Sequence, residues 1–250
     1  MKKLIIMILA LFMLAACNAG NDKYYGIDHF YIKEDGDAFQ KAYNDMVIDT
    51  YEWYRSIEGS EGVYIMHYDH YSAEILSEWV KIGYVNTVPD GDLDYYVASL
   101  NYLQDRGFAI SDSDRKLIQE GVRYYMIPDT LSEEETAKMK QFLLEDAVVG
   151  LDGDTLIDTD FRRDRQIRIV SYHPDVTVEI PGGEEISDPV ILVASCANMK
   201  YFEAESLVAT GLNDGYVRLT EDAYNRFAKN LPESLKKKKV TFVGFSKISK

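Results

Sequence analysis

The sequence predicts an α+β (mixed α/β) chain with a helix-rich first half, a strand-rich second half and mixed sheets covered by helices. Three observations carry this expectation. Between Phe39 and Ile57 the apolar residues Phe39, Ala42, Tyr43, Met46, Val47, Trp53, Tyr54 and Ile57 recur at helical spacing and leave one broad apolar face. Ser132-Glu133-Glu134-Glu135 matches a capping box, which opens a helix by satisfying its first free N–H groups. Beyond Gln166, β-branched segments are separated by Pro-containing turns, as expected of strands.

Taken in order, His29–Ile32 reads as a first strand and Lys33–Asp37 as the turn before the Phe39 helix, which Gly59 and Gly62 end. Val63–Met66 is a second strand. Ser72 caps a short helix carrying Ile75, Leu76, Trp79 and Val80, stopped at Gly83. Pro89-Asp90-Gly91-Asp92 is turn chemistry. The spacing of Leu93, Tyr96, Val97, Leu100 and Leu103 then predicts another helix, stopped by Gly107. Ser111 caps a helix ending at Gly121, and Val122–Ile127 is a strand closed by Pro128. Met139, Phe142 and Leu143 line one side of the next helix. Strands follow at Gln166–Tyr172, Val176–Ile180 and Val190–Cys196, with Pro181-Gly182-Gly183 as a hairpin-like connection. Tyr216–Leu219 is a strand, Thr220 caps a helix over Glu221–Leu231, and Val240–Phe245 is the final strand. The acidic stretch Leu151–Asp160 marks a boundary, near residues 150–165, that would divide the domain 29–250 into two lobes.

The N-terminus carries the sharpest signal. Lys2 and Lys3 precede the apolar run Leu4–Ala16, and Leu14-Ala15-Ala16-Cys17 closes it. This is the build of a secretory signal peptide with a small-residue cleavage site. The run is shorter than the about 20 residues that a membrane-crossing helix needs. The last four residues resemble the lipobox of bacterial lipoproteins, which implies removal of residues 1–16 and lipidation of Cys17. Two acyl chains on one residue supply the double signal of stable anchoring. Residues 17–28 then form a lipidated tether, and the domain faces outside the cytoplasm at the cell membrane.

The formal charge of −15 argues against a nucleic-acid partner, since phosphate binding needs clustered Lys and Arg. It also predicts repulsion from an anionic lipid surface. The run Lys236–Lys239 reads as a solvated face; beside anionic headgroups each of its charges would contribute about 1 kcal/mol. Apart from Cys17, Cys196 is the only cysteine, and its apolar run Val190–Cys196 predicts a small buried hydrophobe. The 19 tyrosines include the pairs Tyr24-Tyr25, Tyr95-Tyr96 and Tyr124-Tyr125, read as one ring in a core and one at its edge.

Chemistry has two candidate sites. Ile65-Met66-His67-Tyr68-Asp69-His70 resembles the histidine–aspartate motif of metallo-β-lactamase-fold hydrolases, which implies a metal nucleus of His67, Asp69 and His70. Ile65 stands where the first histidine belongs, and only His29 and His173 remain to complete metal shells. The acidic run Asp152–Asp160 invites a calcium reading. An EF-hand loop from Asp152 places Leu156 and Arg163 at ligand positions, and Arg162, Arg163 and Arg165 stand ready to neutralise the aspartates. No G-x-S-x-G elbow, Walker loop or G-x-G-x-x-G turn is present, so no catalytic residue, metal or cofactor is expected.

A further likeness covers roughly residues 120–230. The segment Arg123–Glu135 (RYYMIPDTLSEEE), then Asp188–Val193 and Gly215–Leu219 in the same order, resembles the extracytoplasmic domain of the bacteriocin-associated integral membrane family. Those proteins are permease-like components of ABC exporters. The chain departs from them in carrying a lipobox and no later membrane helix. The resemblance implies a detached ectodomain that contacts an exporter. The expected function is therefore a non-enzymatic, membrane-anchored lipoprotein that binds an ABC-type complex or its peptide cargo. Its alternatives are the metal-dependent hydrolase and a solute-binding lipoprotein of an importer, which would use a cleft between two lobes.

Overall fold

The computed structural model describes residues 24–33, 35–149, 166–180, 184–207, 215–228, 231, 235 and 241–247. The signal segment, Cys17, the run 152–160, the turn 181–183 and the lysines 236–239 lie outside them. In chain order the described elements are β1 (Tyr25–Ile32), α1 (Gly36–Ile57), β2 (Val63–Tyr71), α2 (Ala73–Lys81), β3 (Leu93–Ser99), α3 (Leu100–Asp105), α4 (Asp112–Gln119), β4 (Arg123–Pro128), α5 (Glu133–Asp146), β5 (Ile167–Tyr172), β6 (Val178–Glu179), β7 (Glu185–Ile186), β8 (Val190–Ala194), α6 (Tyr201–Glu205), β9 (Val217–Leu219), α7 (Glu221–Phe227) and β10 (Thr241–Lys247). The chain is α+β.

Eight strands form one mixed sheet in the order β10-β1-β9-β2-β3-β8-β4-β5, and β6 and β7 form a separate antiparallel pair. The β3–β8 and β4–β5 pairs are parallel and the rest antiparallel. β8, from beyond the expected 150–165 boundary, lies between β3 and β4, from before it. β1 begins at Tyr25, four residues earlier than the expected start of the folded domain.

Strand side chains alternate between faces with period two, and here both faces are apolar. One face presents Ile27, Val63, Ile65, Leu93, Val97, Tyr125, Ile127, Val190, Leu192, Val217 and Leu219. It is covered by α1 through Met46, Val47, Tyr51 and Tyr54, by α2 through Leu76 and by α5 through Phe142 and Leu143, with Ala204 of α6 and Ala223 of α7. The other face presents Tyr64, Met66, Tyr96, Ala98, Tyr124, Met126, Ile191 and Val193, covered by α3, α4 and the β6–β7 pair. The architecture is thus three layers, helix–sheet–helix. α2, α4, α5 and α7 open on Ser72, Ser111, Ser132 and Thr220, whose hydroxyls accept from backbone N–H groups in the first turn. At α5 the capping box is complete.

The largest departure from the sequence reading is β3. Leu93, Tyr96, Val97, Leu100 and Leu103 satisfy helical spacing, yet Leu93–Ser99 is a strand and the helix begins at Leu100. A strand buried on both faces shows no alternation, so its apolar run mimics a helix. Leu93 and Val97 serve one core and Tyr96 and Ala98 the other. The pair Tyr124-Tyr125 is corrected for the same reason: its rings fill opposite cores, rather than a core and its edge. The strand expected at Val176–Ile180 shortens to Val178–Glu179, and α6 has no counterpart in the sequence reading.

Gly121 closes α4 in the left-handed region, at φ 89°. A Cβ there would meet the Ala197 carbonyl oxygen at 2.8 Å, whereas at Gly107, with φ 92°, it would meet open space. Gly107→Ala is expected to lose about 1–2 kcal/mol from backbone strain alone. Gly121→Ala should lose clearly more, because the 195–198 turn must also move. Comparing their melting temperatures checks this, at about 2–4 °C per kcal/mol for a chain this size.

Candidate functional site

The charged groups of the interior gather under α5 and α6. Arg123, the first residue of β4, is fully buried on the α1/α5 side of the sheet. Its guanidinium donates to both carboxylate oxygens of Glu203 on α6, at 2.6 Å from Nη1 to Oε2 and by a shorter Nη2–Oε1 contact. Nη1 also donates to the Asn198 carbonyl at 3.1 Å and Nε to the Tyr125 hydroxyl at 2.9 Å. Burial works to raise the Glu203 pKa, but the Arg123 charge and hydrogen bonds hold it below the usual carboxylate range. Beside it, Lys200 is 2 % exposed. Its Nζ donates to the Asp146 carbonyl at 2.9 Å and lies 3.6 Å from that residue's Oδ2. Burial pushes the Lys200 ammonium below the ordinary lysine range, and Asp146 pulls the other way.

These groups adjoin a cavity of about 120 Å³ between the sheet and helices α2, α5 and α6. Its walls are largely aromatic: Tyr71, Trp79, Tyr84, Tyr95, Phe142 and Tyr216, with Phe202 toward solvent. Trp79 is inclined to Tyr71 (4.8 Å, 59°) and to Tyr84 (5.3 Å, 45°), and lies near-parallel to Phe142 at 6.4 Å. Asp69, Asp146, Lys200 and Glu203 supply the polar lining. The Tyr84 hydroxyl donates to Asp146 Oδ1 at 3.4 Å.

Asp69 is the one motif residue that reaches this cavity. It shares a face of β2 with His67 and Tyr71, because positions two apart on a strand point the same way. His67 Nε2 lies 2.9 Å from Asp69 Oδ2, the Tyr71 hydroxyl donates to the same oxygen at 2.9 Å, and the His67 ring stacks on Tyr216 at 4.0 Å. Burial tends to raise the Asp69 pKa; the His67 bond and charge, with the Tyr71 bond, bring it below the carboxylate norm. His70 points to the opposite face, with Nδ1 2.9 Å from Asp94 Oδ1. The expected nucleus of His67, Asp69 and His70 therefore does not converge: the strand splits it. Among the described residues no three His, Cys, Asp or Glu side chains are grouped as metal ligands. His173 is exposed beside Asp129 at 3.1 Å.

Cys196 is buried, as expected, and burial pushes its thiol up, away from nucleophilic use. Among the described residues no helix is long and apolar enough to cross a membrane. Compared with known proteins, the chain matches no family model, no curated protein and no solved structure. Sequence reasoning missed Arg123, Asp146, Lys200 and Glu203 as a group. Their only signal was charge inside apolar segments, Arg123 before Tyr124–Ile127 above all.

Removing one partner of a buried ion pair strands the other. Arg123→Met is expected to cost about 3–5 kcal/mol in urea unfolding, and Arg123→Met/Glu203→Leu to recover most of it. Glu203 has its folded pKa depressed, so its contribution is full above the unfolded value, about 4.3, and is lost as pH falls through the folded one. The gap between wild type and the Arg123→Met single variant should accordingly narrow below about pH 4.

Proposed function

We propose that the chain is a non-enzymatic, lipid-anchored binding protein of the cell membrane, facing outside the cytoplasm, with the cavity lined by Asp69 and Lys200 as its recognition site. The observation that carries this reading is the cost of that cavity's lining. Ionised groups removed from water are expensive unless paired and oriented, and here the buried Lys200 and Glu203, with the partly buried Asp69 and Asp146, border a single aromatic-walled space. Perturbed, buried, mutually positioned charges beside a concavity are the mark of a site rather than of a packing core.

The anchor is the lipobox Leu14–Cys17, with residues 18–23 as the short polar spacer before β1. The partner proposed is an ABC-type membrane complex or its peptide cargo, on the strength of the pattern shared by 123–135, 188–193 and 215–219 with the exporter-associated ectodomains. The cavity lies between sheet and helices, so an importer-type interlobe cleft is not required. The charge of −15 disfavours nucleic acid as a partner.

A labelled fatty acid fed to expressing cells is expected to appear on the wild-type chain and to be absent from Cys17→Ser. The wild-type protein should sediment with membranes. Full-length, unlabelled protein in the cytosol would overturn the anchoring.

A further inference from the structure

Charge accounting around the cavity singles out one side chain. Glu203 is neutralised by Arg123 through two parallel hydrogen bonds, and the Lys200 ammonium is held by Asp146. Asp69 remains. Its Oδ2 accepts from His67 and Tyr71, whereas its Oδ1 has no hydrogen-bond partner among the described residues, and its side chain is 32 % accessible. Asp69, with this oxygen unbonded among the described residues, lines the space walled by Tyr71, Trp79, Tyr84 and Tyr95.

We propose that this cavity receives one organic monocation: an alkylammonium group the size of the end of a lysine side chain. The inference rests on reading the cavity as the ligand site and names the chemistry that fills it. An ammonium pairs with Asp69 Oδ1, and its methylenes and charge lie against ring faces, whose quadrupoles attract cations. An anion would have to draw Lys200 away from Asp146, leaving that carboxylate without its cation. A neutral group would offer Asp69 no charge partner beyond His67. Size sets the upper limit: about 120 Å³ is well below the roughly 300–1,000 Å³ of sites that enclose drug-sized ligands. The bound part is therefore a head group, of a free amine or of a basic side chain.

Two features prepare the site for a cation. His67 and Tyr71 fix the Asp69 carboxylate through the same oxygen, so no side chain must be ordered at the moment of binding. The His67 ring is in turn held by stacking on Tyr216 at an interplanar angle of 16°. The acidic charge of the whole chain favours the approach of a positive ligand.

Calorimetric titration of the full chain in non-ionic detergent with n-butylammonium, butyrate and n-butanol reads the class directly. Butylammonium is expected to bind and to shift Trp79 emission in a Trp53→Phe background, and the other two to give no heat. Asp69→Asn should weaken binding roughly tenfold or more, while His70→Ala, on the opposite face of β2, leaves it unchanged. Should Asp69→Asn melt at the assay temperature, Trp79→Leu, which removes one ring wall, is expected to weaken binding several-fold. Butyrate or butanol binding in place of the amine would overturn the cationic class while keeping the cavity as a ligand site. Silence with all three would overturn both readings. Butylammonium binding that both cavity variants leave intact would refute its placement against Asp69.

Discussion

The Arg123 guanidinium is the group around which the interior is arranged. It sits at the head of β4 with no access to water, and its desolvation is tolerable only because four hydrogen bonds meet it there. Each of those bonds fixes something else. The Glu203 carboxylate locks α6 over the sheet and accepts the Lys200 backbone N–H at 2.8 Å. The Asn198 carbonyl holds the turn after β8, and the Asn198 amide ties that turn back to Val122 and Val193. α1 joins the same turn, since Tyr51 donates to the Cys196 carbonyl and Glu58 accepts from the Cys196 N–H. One buried cation thereby fixes where β4, β8, α1 and α6 meet.

That meeting point opens the cavity. α6 is only five residues long and would not persist alone; its place is set by Glu203 and by Tyr43 of α1, which donates to Glu205 at 2.8 Å. Lys200, immediately before it, is carried under α5 and finds Asp146. The aromatic walls come from β2, β3, α5 and α2, whose apolar side turns Trp79 toward Tyr71 and Phe142. An interior already obliged to solvate Arg123 and Lys200 thus borders the rings, and a polar concavity results where the remaining layer interface is apolar. The function proposed above rests on this placement, together with the lipid anchor proposed at Cys17.

Local chemistry was legible wherever it acted over a few residues. The caps at Ser72, Ser111, Ser132 and Thr220, the long amphipathic α1, and the strands β4, β5, β8 and β9 all stand near their expected places. Prediction failed at β3, where burial on two faces erased the alternation that marks a strand, and at α6, which is too short to carry a period. The tyrosine doublets were visible, but a doublet on a strand buried on both sides feeds two cores. The histidine motif failed for a related reason: His67 and His70 are close in sequence yet are sent to opposite faces by the pleat.

By itself the sequence determined the α+β class, most helix boundaries, the acidic character and the expectation of a thiol anchored outside the cell, because each depends on neighbouring residues or on composition. The tertiary structure alone decided the strand order, the pairing of Arg123 with Glu203 and of Lys200 with Asp146, and the placing of Asp69 among rings. Those partners lie from about fifty to eighty positions apart in the cases of Lys200–Asp146 and Arg123–Glu203. Coulomb attraction and desolvation act on spatial neighbours, and no local period or spacing encodes which distant segment the sheet will bring alongside.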